Sequence, residues 1–418
     1  MTFIIYASIY IGLVATSFYV LTYISARKNK ENLLEDYELP SVSVLIPAFN
    51  EEKSIEATMK SILASDYSSK KLEIIIIDNN STDRTYMLAK KFAEDYKKNS
   101  GKVEVRVYIE KKKGKGNALN LGISKARNEI ILTMDADTFV EPWSLKNLIK
   151  YFKDESVMCV SPAIVIHNPK NILQRIQYIE YVLGLFLRKT FAILNAVHIT
   201  PGAFSAYRKS FFEKYGGYDV GNITEDLELA MRVQYYGYRI ENSPEAPAYT
   251  IAPSKFSHLL KQRRRWYIGL MRNMWKYKRL LNPKYGDMGV FVLPIAWISI
   301  FFAVIITSYL FIKTLFDIND ELLFLKSINF DLGSLANLSF YSIERFFFLL
   351  LTNPVFIFIL FFLFVLGFYL FYASRKLGKV SGFAINLPLF FMFFAVLFGF
   401  WWIVSIIYVI FNRDVSWK

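Results

Sequence analysis

The sequence predicts an α/β domain with a mostly parallel sheet, joined to about four membrane-spanning helices. Long uncharged apolar runs lie at the N-terminus and in the last third of the chain, whereas the stretch between them has an ordinary composition. In that middle stretch, short apolar runs alternate with segments of helical periodicity, which is typical of a parallel sheet covered by helices. Acidic residues follow several of the apolar runs, where ligands bind in such sheets.

Four uncharged runs are long enough to cross a bilayer, which takes about 20 apolar residues. They predict membrane helices over residues 1–26, 288–312, 346–374 and 380–412. The first run has neither a basic start nor a small-residue cleavage site, so we expect an uncleaved helix and not a signal peptide.

Lysines and arginines near these runs predict the orientation, because basic residues concentrate on the cytoplasmic side. They follow the first run, precede the second and separate the third from the fourth, whereas residues 313–345 are rich in acidic residues. We therefore expect a multi-pass protein of the plasma membrane with both termini outside. Residues 40–284 are expected to form a cytoplasmic domain and residues 313–345 an extracytoplasmic loop.

The net charge of +14 is compatible with nucleic acid, anionic lipid or an anionic small substrate as partner. Many of the basic residues flank apolar runs, which favours the lipid bilayer and gives no support to a nucleic-acid partner. The single cysteine, Cys159, excludes an intrachain disulfide and a cysteine-based zinc site. The three histidines are far apart in sequence, so a metal ion would have to be held by carboxylates.

Within the central domain, continuous or alternating apolar runs predict strands, and apolar residues spaced by three or four predict helices. The predicted strands are Ser41–Pro47, Leu72–Ile77, Val103–Ile109 and Ile130–Met134. The predicted helices are Glu51–Leu63, Ser81–Ala93, Ala118–Ala126 and Leu227–Tyr236. Ser81 is expected to cap its helix. The polar residues at the strand ends are Asn50, Glu51, Asp78 and Asp135.

The fourth predicted strand ends with two carboxylates one residue apart, Asp135 and Asp137. Mg²⁺ and Mn²⁺ prefer oxygen ligands and are commonly held by one or two carboxylates together with substrate phosphates. The pair is therefore a candidate site for a divalent cation. A solvated acidic pair in a turn is the alternative.

Two other loops carry polar residues suited to a nucleotide. Asp78 is followed by a polar turn that can hydrogen-bond a base or ribose, although the turn could also only cap a helix. The Lys111–Asn120 segment combines lysines and glycines before a predicted helix. Backbone amides at a helix N-terminus, with Lys115 nearby, form an anion site; a flexible basic loop is the alternative.

Two segments later in the chain are candidates for catalysis and acceptor binding. Asp226 could take a proton from an acceptor hydroxyl as a general base. Alternatively, Thr224 caps the following helix and the carboxylates favour its dipole. In the Gln262–Trp266 segment (QRRRW), arginine can bind a diphosphate and tryptophan can stack on a sugar. An interfacial basic helix with an aromatic anchor is the alternative.

Seven motifs occur in a fixed order along the chain. They are IPAFNE (46–51), IIDNNSTD (76–83), GKGNALN (114–120), MDADT (134–138), PGAFSAYRKS (201–210), TED (224–226) and QRRRW (262–266). With the flanking membrane spans, they resemble the family 2 inverting glycosyltransferases with a GT-A fold. The resemblance covers about residues 41–278. Within the family, the chain resembles the membrane-bound processive branch, which contains cellulose, chitin, hyaluronan and poly-N-acetylglucosamine synthases.

The resemblance implies a metal-dependent hexosyltransferase that uses a nucleotide-diphosphate sugar, expected to be UDP-linked. Asp226 would be the catalytic base, and Asp135 and Asp137 would hold the donor diphosphate through Mg²⁺ or Mn²⁺. The implied donor-site residues are Asn50, Glu51, Asp78, Lys115 and Asp135. The implied diphosphate and acceptor residues are Gln262, Arg265, Trp266, Glu225 and Gly202.

One departure and three functions remain open at this point. The family often has Asp-Asp-Gly-Ser where this chain has Asp78-Asn79-Asn80-Ser81, so contacts to the base are expected to differ. The favoured function is processive synthesis of a β-linked polysaccharide. The second is transfer of one sugar to a lipid acceptor such as polyprenyl phosphate or ceramide. The third, a non-enzymatic membrane scaffold, gives no reason for carboxylates at strand ends.

Overall fold

The computed structural model describes residues 2–26, 38–99, 101–327, 340–376, 383–411 and 413. Within these ranges, eight strands form one sheet. They are β1 (Val42–Ala48), β2 (Leu72–Asp78), β3 (Glu104–Ile109), β4 (Ile130–Met134), β5 (Phe139–Val140), β6 (Val157–Ile166), β7 (Phe204–Arg208) and β8 (Arg239–Thr250).

The helices alternate with these strands and then continue alone towards the C-terminus. Those of the first two-thirds are α1 (Thr2–Ala26), α2 (Ile55–Leu63), α3 (Thr85–Lys98), α4 (Lys115–Lys125), α5 (Ser144–Ile149), α6 (Ile172–Ile193), α7 (Lys209–Tyr215), α8 (Glu225–Tyr235) and α9 (Phe256–Lys276). The later ones are α10 (Leu293–Ser327), α11 (Phe340–Thr352), α12 (Pro354–Lys376) and α13 (Phe383–Ile410).

The strand order is β3-β2-β1-β4-β7-β6-β8-β5. Strands β1 to β4 run parallel to one another, and β6 runs parallel to β8. β7 is antiparallel to both of its neighbours, β4 and β6. This arrangement confirms the predicted mixed, mostly parallel sheet. The reversal at β7 brings the loop before it, which contains Gly202, to the carboxyl end of β4.

The sheet is covered on both faces, which explains the nearly uninterrupted apolar runs of its central strands. Alternate residues of β1 point to opposite sides: Val44 and Ile46 pack in one core with Met59 of α2. Leu45 packs in the other core with Leu119 of α4. The strand ends are fixed between these two cores. The residues that follow each strand are therefore also held in place.

The turn after β2 differs from the prediction. We expected Ser81 to cap the next helix, but α3 begins only at Thr85. The Ser81 hydroxyl instead accepts a hydrogen bond from the Asn50 amide at 3.0 Å, and Asp83 accepts from the Thr85 amide at 2.9 Å. The predicted cap was therefore wrong, because the turn is long enough to fold back onto the end of β1.

Three helices are long and apolar enough to cross a membrane, and a bent pair raises the number to four within the described residues. These are α1, the helix over Met288–Ser327 that starts with a π-helical turn, and α13; the bent pair is α11 with α12, which meet at 72°. The predicted number of about four spans is reached when the bent pair counts as one span. The second helix extends beyond residue 312 into the segment expected to be a loop, and residues 328–339 lie outside the described part.

Two amphipathic helices, α6 and α9, join the sheet domain to the apolar helices. On α6, Phe186 contacts Tyr23 of α1 with ring centroids 4.8 Å apart. On α9, Tyr267 contacts Trp402 of α13 at 4.5 Å, and the Arg264 guanidinium lies 4.2 Å from the Tyr408 ring. The position of α9 against the sheet domain is therefore set partly by the last apolar helix.

Candidate active site

A cavity of about 990 Å³ opens at the carboxyl ends of β1, β2 and β4. Its walls are the loops that follow these strands, the loop that precedes α4, and one side of α9. Ligand pockets commonly enclose about 300–1,000 Å³. The predicted site residues that line it are Glu51, Lys115, Asp135, Asp137, Gln262 and Arg265.

The carboxylates after β4 form the acidic part of the cavity. The Asp135 amide donates to the carbonyl of Ala203 at 3.1 Å, which fixes this turn against the loop before β7. Burial, together with the negative charges of Asp135 and Glu51, raises the pKa of Asp137 to about 6. Lys115 opposes this shift without cancelling it. The cluster therefore has an excess of negative charge that a bound cation would relieve.

Lys115, the first residue of α4, links this acidic turn to the start of α8. Its Nζ lies 2.5 Å from Asp135 Oδ1 and 3.7 Å from Glu225 Oε1. Burial alone would lower the pKa of Lys115, but the charges of Asp135, Glu225 and Asp226 outweigh burial and raise it. A positive charge is therefore held between the two groups of carboxylates.

Asp226 and Glu225 are neighbours in different environments. Asp226 is partly exposed, and its oxygens accept from the Gly202 amide at 3.0 Å and from the Leu227 amide at 2.8 Å. Glu225 is buried, and burial, with a smaller contribution from Asp226, raises its pKa to about 7. The Thr224 side chain makes no capping hydrogen bond to α8. Asp226 is thus the more accessible of the two carboxylates, and two backbone amides fix its side chain.

Gly202 lies between Lys115 and Asp226. A Cβ at this position would come 2.9 Å from Lys115 Nζ and 3.1 Å from Asp226 Oδ2. A side chain here would displace the Lys115 ammonium and crowd the Asp226 carboxylate. The glycine therefore allows the loop before β7 to approach them closely.

The turns after β1 and β2 interlock beside the cavity. Asn50 has a left-handed backbone with φ of 55°, and its side chain accepts from the Thr82 amide at 2.8 Å. Asp78 is buried; one oxygen accepts from the Ser81 amide at 3.1 Å, while the other has no partner within the described structure. Because buried polar atoms are normally paired, this oxygen is a candidate acceptor for a ligand donor.

Asn79, which we had not predicted as a site residue, lines the cavity and organises its basic loop. Its Nδ2 donates to the carbonyls of Glu110 at 3.1 Å and Lys112 at 2.7 Å. Its Oδ1 accepts from the Gly114 amide at 2.8 Å. Aspartate could not make the first two bonds, so the departure from the family's Asp-Asp pattern has a structural use here. The asparagine at position 79, where the family often has aspartate, was the sequence feature that could have identified Asn79 as a site residue.

One face of α9 forms the remaining wall. His258, Lys261, Gln262 and Arg265 follow helical spacing and all line the cavity. Gln262 Oε1 is buried and has no hydrogen-bond partner among the described residues. Sequence reasoning missed His258 and Lys261, although they lie four and one residues before Gln262.

Trp266 directly follows the cavity-lining Arg265 in α9 and is not itself among the described residues that line the cavity. The guanidinium of Arg263 lies 4.3 Å from its ring centroid, and Arg263 is itself bonded to Glu180 of α6 at 2.8 Å. Trp275, by contrast, is 69% exposed. The Trp266 ring is therefore linked to α6 through Arg263.

Comparison with known proteins gives two matching families. The profile described as "Glycosyl transferase family 2" matches residues 43–216, and that described as "Glycosyl transferase family group 2" matches residues 130–411. A poly-beta-1,6-N-acetyl-D-glucosamine synthase of Staphylococcus aureus (strain COL) is 32% identical over 308 residues, covering 71% of this chain and 72% of the relative. The synthase of the same description from Staphylococcus epidermidis is 32% identical over 248 residues, or 58% of each chain.

Among solved structures, a mannosyltransferase from Pyrobaculum calidifontis in complex with GDP-Man and Mn²⁺ aligns with a TM-score of 0.57. The two chains are 18% identical, and the alignment covers 97% of this chain and 100% of the other. At this identity the likeness establishes a shared fold.

Proposed function

Because this chain belongs to glycosyltransferase family 2, we propose that it is a membrane-bound inverting synthase that builds a β-linked polysaccharide from a nucleotide-diphosphate sugar. The observation that carries this proposal is the single cavity in which Asp135, Asp137, Lys115 and Arg265 meet, next to Asp226. The description of the relatives as poly-beta-1,6-N-acetyl-D-glucosamine synthases supports N-acetylglucosamine as the sugar and its UDP derivative as the donor.

The residues on the donor side suit a nucleoside diphosphate. Lys115 of α4 and Arg265 of α9 both line the cavity and supply positive charge, which would stabilise the negative charge that the leaving diphosphate gains. The unpartnered oxygen of Asp78 would accept a hydrogen bond from the base or ribose. Asn50 shapes the turn beside it, and Glu51 lines the cavity.

Asp135 and Asp137 fit a divalent cation, Mg²⁺ or Mn²⁺. Both offer hard carboxylate oxygens, and the raised pKa of Asp137 reflects its burial and the negative charges of Asp135 and Glu51. When bound, the cation would neutralise the diphosphate of the leaving nucleotide.

On the acceptor side, Asp226 acts as the general base. It removes the proton from the acceptor hydroxyl as that oxygen attacks the anomeric carbon, and the nucleoside diphosphate leaves from the opposite face. One displacement inverts the anomeric centre, so an α-linked donor gives a β-linked product. Gly202 and Glu225 flank this position, and Gln262, which lines the cavity, and Trp266 would hold the end of the acceptor.

A donor screen with the full-length protein in membranes tests the proposal. Each nucleotide sugar is supplied separately, and both nucleoside diphosphate release and product size are measured. We expect UDP release from UDP-N-acetylglucosamine together with a polymeric product. A product carrying one added sugar on a lipid would support the lipid-acceptor alternative. No release from any donor would contradict the proposed activity.

Replacing Asn79 by aspartate is expected to weaken donor binding by about tenfold. The variant loses two hydrogen bonds to the basic loop, each contributing about 0.5–1.5 kcal/mol, and adds a charge beside two carbonyls. The dissociation constant of UDP, measured by calorimetry, should rise with the donor KM. The matched control is Asn80→Asp, because Asn80 is exposed and adjoins the same turn. Equal affinities for the two variants would contradict the role given to Asn79.

Trp266→Ala is expected to reduce transfer to the acceptor while the protein remains inserted and binds UDP. An aromatic ring supplies a rigid flat surface for a sugar, and the Trp266 ring packs against the Arg263 guanidinium one residue after the cavity-lining Arg265. Trp275→Ala should cost much less activity, because Trp275 is exposed and its ring lies near Lys278. If both variants lost activity equally and both failed to insert into the membrane, Trp266 would be a membrane anchor.

We further propose that the sheet domain is cytoplasmic and that the start of α1, the end of α13 and residues 313–345 face outside. Basic clusters at the helix ends support this orientation. Ser334→Cys should react with an impermeant thiol reagent on intact cells, whereas Ser68→Cys in the sheet domain should react only after lysis. Cys159 is fully buried, so the otherwise unmodified chain is a suitable background. The reverse labelling pattern would overturn the proposed orientation.

A further inference from the structure

The face of α9 that lines the cavity continues along the helix into a second contact. Gln262 and Arg265 line the cavity, and Gly269, Asn273 and Lys276 follow on the same face at helical spacing. These three residues meet the segment that leads into α8. One rigid helix therefore contacts both the cavity and the residues next to Asp226.

Gly269 lets α9 approach Thr224 closely. A Cβ at position 269 would lie 2.8 Å from Thr224 Cβ and closer still to Thr224 Oγ1 and Cγ2. Real Cβ atoms do not approach other atoms at such distances, so an alanine here would force the helix and the segment apart. Position 269 therefore sets the separation of α9 from the residue that precedes Glu225.

Asn273, one turn further on, is fully buried and adds directional bonds to the same segment. Its Nδ2 donates to Thr224 Oγ1 at 3.0 Å and to Asn222 Oδ1 at 3.2 Å. Its Oδ1 accepts from Asn222 Nδ2 at 2.7 Å. The paired side-chain amides of Asn273 and Asn222 fix the position of this segment along the axis of α9 as well as its distance from the helix.

The end of α9 adds an ionic contact to α8. Lys276 Nζ lies 2.9 Å from Asp219 and 3.1 Å from Glu228, and the Tyr277 hydroxyl donates to Glu228 at 2.5 Å. Glu228 and Tyr277 are buried, so the bond between them is shielded from solvent, whereas the Lys276 and Asp219 side chains are partly exposed. These contacts restrain the first two turns of α8 against the same helix.

We propose that Gly269 and Asn273 are positioning residues that hold the Thr224–Asp226 segment in register with the cavity-lining face of α9. This inference rests on the proposed function, in which Asp226 is the base and Arg265 faces the leaving group. Neither residue is among the described residues that line the cavity. Because both residues belong to α9, they fix the distance between the Asp226 carboxylate, which accepts the proton, and Arg265, which faces the leaving group.

The first test is Gly269→Ala in the full-length protein, with Gly367→Ala as control. Gly367 also lies in a helix, but a Cβ there would meet its nearest neighbour at an ordinary 3.6 Å. A displacement of about 1 Å can cost roughly 10²-fold in rate, so we expect a loss of this order in kcat for Gly269→Ala. The UDP dissociation constant should change much less than kcat, because the donor-side residues Asp78, Lys115 and Asp135 lie outside both α9 and the Thr224–Asp226 segment.

The second test asks whether the loss comes from the contact with Thr224. Thr224→Ala removes the two side-chain atoms nearest to position 269, and Thr224 itself is outside the catalytic set. In the Gly269→Ala background this substitution should recover at least part of kcat, whereas in the wild-type background it should lower kcat. Such opposite effects in a double-mutant cycle indicate a direct interaction. Asn273→Asp should also lower kcat without weakening UDP binding.

Hydrogen exchange of residues 219–228 provides a measurement that does not depend on activity. Exchange in this segment should increase in Gly269→Ala and Asn273→Asp and stay unchanged in Gly367→Ala. If the wild-type protein transferred no sugar from any donor, the proposed function would fail, but exchange would still test the contact. Unchanged exchange, a kcat equal to that of Gly367→Ala, or a parallel loss of UDP binding would each overturn the positioning role.

Discussion

Asp226→Asn is expected to lower turnover by about 10²–10⁴-fold, the usual contribution of a general base. Asparagine keeps the size of the side chain but cannot take the proton from the acceptor hydroxyl. UDP binding should be nearly unchanged, because Asp226 is not among the described residues that line the cavity in which the diphosphate is proposed to bind. Turnover and UDP affinity, measured on the same preparation, check this expectation.

A thermal melt separates this role from a structural one. Asp226 accepts from two backbone amides, and asparagine has one oxygen with which to replace these bonds. If Asp226 served only the first turn of α8, the variant would melt earlier and still turn over. The control is Asp154→Asn, a carboxylate bonded to Arg239 at 2.7 Å outside the cavity. Comparable turnover in the two variants would contradict the assignment of the base.

Asp137→Ala is expected to abolish transfer, and transfer by the wild-type protein is expected to stop in excess chelator. Alanine removes one of two carboxylates that would hold the cation, and no cluster of three histidine, cysteine or acidic residues suited to a metal occurs in the described chain. Mn²⁺ binding, followed by electron paramagnetic resonance in the presence of UDP, should weaken in the variant. Full turnover with chelator present would refute metal dependence.

The loss in Asp137→Ala is not expected to come from unfolding. Burial and the charges of Asp135 and Glu51 disfavour the ionised form of Asp137, so removing it should leave the melting temperature at or above the wild-type value. Asp66→Ala serves as a surface control, because the Asp66 side chain is 72% exposed.

The parallel half of the sheet was predictable because its strands are locally distinctive. Leu72–Asp78 is buried along its whole length, and that environment selects an uninterrupted apolar run. The polar residues after β1, β2 and β4 could therefore be placed together from sequence. By contrast, β7 and β8 were not predicted, because their pairing depends on partners distant along the chain.

Within the site, residue types were easier to predict than partners. The acidic pair and Lys115 could be chosen from motifs, but the link from Lys115 to Glu225 joins positions far apart in sequence. The prediction that Ser81 caps a helix was wrong for a related reason, because the Ser81 hydroxyl accepts a hydrogen bond from the Asn50 amide of another loop. The roles of Asn79 and Asn273 depend on backbone carbonyls and buried neighbours that periodicity does not reveal.

The packing of α9 on α13 has a consequence for biosynthesis. The cavity wall on α9 is translated well before Trp402 and Tyr408, the aromatic residues of α13 that it packs against. More than a hundred residues separate the two helices, which at about 5–20 residues per second amounts to roughly ten seconds of translation. During that interval α9 exposes aromatic surface beside the bilayer. A nascent chain that has not yet inserted its last helix should therefore lack transferase activity, so polymer synthesis would begin only once membrane insertion is complete.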